Sequence, residues 1–340
     1  MPISSRNQHP PRTRRALLPF LTATAWLLWM AHGSAYAQYP PGPGAISPAA
    51  RVAAQRGLPE PVLGNVAPEV VPAEGPVDNL DDFYSDENEI TWQLLPKGLV
   101  YRAYLAGEKE SRFRSVIAYE RDRGWVWDIT LGGRVGLLRY GPQGPGRPEG
   151  FQVDIEGAGI PRLDPEERRD LDSADFRFGV PFTYGTKFYQ TKFGYYHLSS
   201  HLGDEFLIKH PSQTRYNYSR DVLVWGHSLY PTPELRIYGE VGWAFVSDVS
   251  EPWELQFGID YSPARCTGFG GAPFAAVNAH LRDEVDFGGN FVAQAGWAWR
   301  SSQSSGLLRT GFEYYTGFND QFSFFREYES KVGMGVWYDY

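Results

Sequence analysis

The chain ends in Val332-Gly-Met-Gly-Val-Trp-Tyr-Asp-Tyr340, and this stretch decides the fold. Side chains alternate between the two faces of a strand, so one face carries Val332, Met334, Val336, Tyr338 and Tyr340. An unbroken apolar face that ends on an aromatic residue is typical of the last strand of a bacterial outer-membrane barrel, which shows apolar side chains to lipid and an aromatic ring to the interface. The stretch predicts a chain that enters a membrane as strands.

The first 37 residues are predicted to be a signal peptide. Three arginines between positions 12 and 15 precede a mostly apolar stretch, Ala16 to Met30, and Ala35-Tyr36-Ala37 supplies the small-x-small pattern of a cleavage site. An uncleaved membrane anchor is the alternative, but the apolar stretch is short and contains Pro19. We therefore expect cleavage near Ala37 and export to the bacterial outer membrane.

Composition agrees with a strand-rich exported protein. Aromatic residues make up 16% of the chain, with 37 glycines and 11 tryptophans, which suits many strands with aromatic girdles at the membrane interfaces. The net charge of -8 argues against a nucleic-acid partner. The single cysteine, Cys266, cannot form a disulfide within the chain.

The sequence divides into three parts. After residues 1–37, residues 38–90 are rich in proline and glycine and then acidic, and we expect a largely disordered periplasmic arm. A calcium site in the acidic run is the alternative, although the loop spacing of known calcium hands is missing. Residues 91–340 are predicted to form the barrel domain.

Alternation of apolar and polar residues defines the strands. Eleven runs follow Gly124, at 127–137, 151–155, 176–182, 187–199, 216–230, 235–245, 253–261, 274–282, 291–299, 308–314 and 332–340. Single-chain bacterial barrels favour even strand numbers, and Phe113 to Tyr119 supplies a twelfth. We predict an all-β, antiparallel transmembrane outer-membrane barrel of about twelve strands, with ten as the second choice. A soluble β-sandwich is the alternative fold.

The face opposite the apolar one carries charges of both signs. These residues are Asp128, Asp154, Glu156, Glu240, Glu254, Asp260, Glu313, Arg134, Arg177, Lys192, Arg220, Arg236, Arg282, Arg300 and Arg309. The two signs nearly cancel, whereas a strongly ion-selective channel would carry one sign. The balance favours a narrow or plugged lumen that is cross-linked by ion pairs.

One segment, at residues 195–205, has residue types suited to catalysis. His197 and Ser199 are expected on the outward face of one strand, where a histidine can activate a serine if a third group orients the imidazole. Asn217 and Asp221, on the next strand, are the candidates for that third group, and Asp204 and Glu205 are further options.

The His-x-Ser pattern resembles outer-membrane phospholipase A and related lipid A deacylases, which place such a pair on the lipid-facing rim of a barrel. The resemblance implies a lipid hydrolase, for which calcium is a possible cofactor. Phospholipase A follows its serine with Asn-Gly, whereas this chain has Ser200-His201, so its oxyanion arrangement is not reproduced. Two alternatives are hydrogen bonding in the interfacial girdle and metal binding, although the spacing matches no zinc signature.

A broader resemblance covers roughly Trp92 to Tyr340. Its phrases include Leu131-Gly-Gly-Arg-Val-Gly-Leu-Leu-Arg-Tyr140, Ser199-Ser-His-Leu-Gly-Asp-Glu205 and Tyr218-Ser-Arg-Asp221. They are similar to a bacterial family known as domain of unknown function 1207. The resemblance implies an outer-membrane barrel with no assigned activity.

Three functions remain open from the sequence. The leading hypothesis is a structural, binding or small-solute component of the outer membrane, and the others are a lipid hydrolase and a passive diffusion pore. The expected partners are outer-membrane lipid and the barrel-assembly machinery, which would recognise the strand from Val332 to Tyr340. Fold alone does not choose among these functions.

Overall fold

The computed structural model describes residues 90–143, 147–302 and 305–340. The predicted signal peptide, the acidic run and the predicted arm apart from Ile90 lie outside the described residues. Within the described ranges, no helix is long and apolar enough to cross a membrane.

Twelve antiparallel strands, β2 to β13, form a closed barrel in which each strand pairs with the next. Pairing of β13 with β2 closes the barrel, so all strand edges in the ring are satisfied. This confirms the predicted fold class and the strand count. The strands are β1 Ile90–Leu94, β2 Phe113–Glu120, β3 Gly124–Pro142, β4 Gly150–Asp164, β5 Asp170–Gly185, β6 Tyr189–Leu202, β7 Ser219–Leu229, β8 Leu235–Ser247, β9 Trp253–Tyr261, β10 Ala272–Arg282, β11 Gly289–Arg300, β12 Leu307–Phe318 and β13 Tyr328–Asp339. In the described ranges, one short helix, α1, spans Asp204–Lys209, and single 3₁₀ turns lie at Gly268–Gly270, Asp283–Val285 and Phe322–Phe324.

The closing strand β13 has the two faces expected from its sequence. Val332 and Met334 are about half exposed on the outside, whereas Trp337 is fully buried inside. In its register with β2, Tyr338 lies opposite Phe113. The apolar outer face and the filled inner face together match a strand that borders lipid on one side.

The longest strand, β3, has two partners on one edge. Residues 124–131 of β3 pair with β2, and residues 138–142 pair with β1. Between β1 and β2, residues 95–112 leave the wall and enter the barrel, and we call them the plug segment. Most of their side chains are buried, including Tyr101, Tyr104 and Arg112.

The plug segment contacts several sides of the barrel wall. The Tyr104 ring stacks on Tyr238 with centroids 4.0 Å apart, and its hydroxyl donates to Glu240 Oε2 at 2.7 Å. Lys109 Nζ lies 2.6 Å from Asp175 on β5. Since β5 and β8 are separate parts of the wall, these contacts hold the segment across the interior.

Space for the plug is provided in part by a glycine in the wall. A Cβ at Gly226 would lie 2.9 Å from the hydroxyls of both Tyr101 and Tyr104. Any larger side chain at this position on β7 would force the two tyrosines to move. Gly226 therefore leaves room in the wall for the two tyrosines of the plug segment.

Buried ion pairs link the remaining interior. Asp128, Arg220, Arg282 and Arg309, which were predicted to face inward, are fully buried. Arg162 donates to Asp128 at 2.6 Å and to Glu329 at 2.8 Å. Opposite charges at these distances offset one another in a medium of low dielectric.

Candidate functional site

A polar patch interrupts the apolar outer surface on strands β5 to β8. His197 on β6 lies opposite Phe178 on β5 and Asp221 on β7, and Asp221 lies opposite Val246 on β8. Phe178 and Val246 are about half exposed. We call His197, Ser199, Ser219 and Asp221 the outer patch.

Strand alternation puts these groups on the outside. Tyr196 and Leu198, which flank His197, face inward and are almost fully buried. Ser200 also faces inward, where its hydroxyl lies 2.8 Å from that of Ser323 and donates to Asp175. The outer patch therefore rests on a packed wall, which holds its side chains more firmly than a loop would.

His197 and Asp221 form the central contact. His197 Nδ1 lies 2.9 Å from Asp221 Oδ1. A carboxylate only accepts hydrogen bonds, so this contact assigns the proton of a neutral imidazole to Nδ1 and leaves Nε2 as an acceptor. This is the tautomer that a general base requires.

A tyrosine supports the same carboxylate. The Tyr195 hydroxyl donates to Asp221 Oδ1 at 2.6 Å, so the oxygen that accepts from His197 has a second donor. Sequence reasoning missed this role, although Tyr195 lies two residues before His197 and so on the same face. The two donors fix the orientation of the carboxylate.

Ser199 lies next to His197 on the same face. Its backbone pairs with Phe176 on β5 and Ser219 on β7. Residues two apart on a strand are separated by roughly 7 Å, a gap that an imidazole and a hydroxyl can bridge by side-chain rotation. In the ranges that the structure describes, the Ser199 hydroxyl makes no hydrogen bond, including none to His197.

The other predicted candidates lie elsewhere. Asn217 precedes β7, is exposed, and donates to Asp248 Oδ2 at 2.6 Å. Asp204 and Glu205 begin helix α1, beyond the end of β6. The structure thus brings His197 together with Asp221 and not with Asn217.

Among the described residues, the backbone amide next to Ser199 is not free to bind an oxyanion, and no metal cluster accompanies the patch. The amide that follows Ser199 belongs to Ser200 and donates to the Tyr218 carbonyl at 2.9 Å, so it is committed to strand pairing. Over the part of the chain that the structure describes, no group of three or more His, Cys, Asp and Glu side chains could hold a metal ion.

The fold and this patch define a class: a twelve-stranded barrel of the outer-membrane type, with a filled interior and a His–Asp pair on its outer face. The chain belongs to the family described as "Protein of unknown function (DUF1207)", whose model matches residues 150–340. No curated protein matches the sequence.

Several solved outer-membrane structures are similar. The Salmonella typhi outer membrane phospholipase dimer with bound calcium shares 11% identity, with a TM-score of 0.46, over 66% of this chain and 90% of its own. Outer membrane phospholipase A from Escherichia coli shares 10%, with a TM-score of 0.43, over 67% and 89%. The KdgM porin in complex with disordered oligogalacturonate shares 10%, with a TM-score of 0.38, over 67% and 99%. Similarity at this level says nothing about activity.

Proposed function

We propose that this barrel is an outer-membrane hydrolase of lipid esters, with Ser199 as nucleophile, His197 as general base and Asp221 as the group that orients the base. The observation that carries the proposal is the hydrogen bond between His197 and Asp221 on the outward face of the barrel. Ionisable groups on a surface that borders lipid are costly, so such a pair favours a functional role over a purely structural one.

In the proposed reaction each of the three side chains has one role. Ser199 Oγ attacks the carbonyl carbon of an acyl ester while its proton passes to His197 Nε2, and Asp221 stabilises the imidazolium that forms. Collapse of the tetrahedral intermediate breaks the ester C–O bond, and the proton passes from His197 to the departing alcohol. Water then attacks the acyl-serine with His197 again as base, which releases the fatty acid and restores the serine.

No step is assigned to a metal. Calcium takes six to eight oxygen ligands, and the side chains around Ser199 do not supply a set of carboxylates that would fit it. Activity is therefore measured both with and without calcium.

The sequence patterns near the two termini support a location for this proposed activity. We infer export by residues 1–37 with cleavage near Ala37, assembly through the strand Val332 to Tyr340, and outer-membrane lipid as both solvent and substrate. A mature protein that migrates faster on gels before heating than after, and that is recovered with the outer membrane, would agree with this setting. Recovery as a soluble periplasmic protein would contradict it.

A structural or binding role without catalysis is the second candidate. It is favoured by the Ser199 hydroxyl, which makes no hydrogen bond to His197 within the described residues. A passive diffusion pore fits less well, because the plug segment fills the interior. We expect no stepwise conductance in planar bilayers.

The test is fatty-acid release from phospholipid in mixed micelles by refolded mature protein, with and without calcium. Ser199→Ala and His197→Ala should each lose at least about a thousandfold in rate, as loss of a triad member does. Ser330→Ala, which changes an outward serine on β13 far from the patch, should keep the wild-type rate. Equal release by Ser199→Ala, or no release by folded wild type, would exclude the proposal.

A further inference from the structure

A narrow cleft lies between the plug segment and the wall, at the end of the barrel where β13 ends. Arg102 lines it from the plug segment, and Arg236 and Arg300 line it from the wall. Its volume is about 30 Å³, which suits one or two small polar groups rather than a large ligand. The cleft is separate from the outer patch, which faces away from the interior.

The wall arginines bring further positive charge to the cleft, which Asp260 offsets in part at Arg236. Arg300 donates to the carbonyls of Pro263 at 2.6 Å and Ser305 at 3.0 Å. Both partners are neutral, so they satisfy donors without neutralising the guanidinium. Arg300 is only 7% exposed, which removes it from most of the screening by water.

One N–H group of Arg236 makes no hydrogen bond to any residue that the structure describes. Its side chain donates to the Ser228 hydroxyl at 2.9 Å and to the Ala103 carbonyl at 3.0 Å, while Nη2 is buried without a hydrogen-bond partner. The nearest carboxylate oxygen, on Asp260, is 3.6 Å from Nη1 and also accepts the Leu105 amide. The guanidinium lies 4.8 Å from the ring centroids of both Tyr101 and Tyr104, and a donor in a side chain that is 97% buried is seldom left without a hydrogen-bond partner.

Arg102 makes no hydrogen bond to any described residue. Burial and the charges of Arg300, Arg147 and Arg236 hold the pKa of its guanidinium well below the usual range. The carboxylate of Asp339, which also lines the cleft, is already shared by two other arginines at 2.7 and 2.8 Å. Glu234 and Asp260 also line the cleft, yet no carboxylate of the described residues forms an ion pair with Arg102, so its charge has no counterion there.

We propose that this cleft binds a phosphate-class oxyanion, whose oxygens enter between Arg102 and Arg236. Guanidinium groups present paired N–H donors that match phosphate oxygens, and a charged acceptor would satisfy Arg236 Nη2 and offset the charge of Arg102. The anion is either free phosphate or a phosphate headgroup with its remaining atoms at the mouth of the cleft.

The experiment is titration calorimetry on refolded mature protein in non-ionic micelles. Inorganic phosphate and a short-chain phosphatidic acid are titrated separately, each against sodium chloride at equal ionic strength. Arg102→Gln should weaken phosphate-class binding at least tenfold, and Arg102→Lys, which keeps the charge, should weaken it less. Arg326→Gln, an exposed arginine at the opposite end of the barrel, should bind as wild type does.

Binding of phosphatidic acid alone would identify the source as lipid, and binding of both would identify the phosphate group itself. No heat above the chloride control for either compound would overturn the proposal, as would equal affinity in wild type and Arg102→Gln. Arg102 makes no hydrogen bond within the described residues, so Arg102→Gln is expected to fold. Should it fail to refold, undiminished affinity in Arg102→Ala or Arg102→Met would contradict the proposal in the same way.

Discussion

Arg112 is the residue whose loss should loosen the plug segment most directly. It is 1% exposed, its Nη1 lies 2.8 Å from Asp339 and donates to the Leu105 carbonyl at 2.8 Å, and its Nη2 donates to the Tyr104 carbonyl. One side chain thus ties the plug segment to itself and to the closing strand β13. Arg112→Met keeps an unbranched side chain, two atoms shorter than that of arginine, and removes all of these bonds.

The size of the effect depends on what the lost bonds leave behind. Breaking a buried ion pair costs about 3–5 kcal/mol when the partner charge is stranded. In Arg112→Met, Asp339 would still form its ion pair with Arg309 Nε at 2.7 Å. The Leu105 carbonyl would still accept a hydrogen bond from Arg309 Nη2 at 3.0 Å. The Tyr104 carbonyl would still accept a hydrogen bond from the Gly107 amide at 2.9 Å. We therefore expect the lower bound, a loss of about 3 kcal/mol in the free energy of unfolding.

The assay is urea unfolding of the refolded barrel in micelles. Arg326→Met removes an exposed arginine and should cost less than about 1 kcal/mol. A loss below about 1 kcal/mol for Arg112→Met, or one equal to that of the control, would show that the plug segment is not held as described.

Three further predictions concern the interior. Gly226→Ala should destabilise the barrel by about 1–3 kcal/mol in urea titrations because its new Cβ crowds two plug tyrosines, whereas Gly239→Ala, with nothing within 4 Å of the added atom, should be neutral; equal effects would refute this. Arg162→Met should cost more than Arg112→Met by the same measurement, because it leaves three buried carboxylates to Lys331, with Lys109 4.0 Å from only one of them; a smaller loss would count against the ion network. Burial raises the pKa of Glu108 from 4.5 to about 8, so the folded chain binds this proton more tightly than the unfolded chain, and stability should fall as pH rises between these values. Glu108→Gln should reduce this loss of stability with rising pH, measured as the free energy of unfolding from pH 5 to 9. An unchanged pH dependence would assign the loss to other groups.

The strands could be predicted from sequence because alternation is a local signal. Each outward apolar run, including the last one from Val332, is readable without knowing its partner. The plug segment gives no such signal. Residues 95–112 have no period of two, and their contacts join distant positions, as in the bond between Tyr104 and Glu240. Only the near balance of inward charges indicated that the interior is filled.

The outer patch was predictable in part for the same reason. The connection between β6 and β7 brings Asp221 back opposite His197, and both lie on the outward face. The partner of Asn217 was not predictable, because it depends on where β7 begins and on a register shift between Asp221 and Val222 against β8. Such shifts follow from packing between strands rather than from local pattern.

We expect His197 to activate Ser199 as a nucleophile on the outer face of the barrel. The most direct measurement is covalent labelling of refolded mature protein by a long-chain alkyl fluorophosphonate, followed by peptide mass mapping. We predict one adduct, on Ser199, formed in the folded protein and lost in His197→Ala. An unlabelled Ser199 in folded wild type, or equal labelling in His197→Ala, would contradict it.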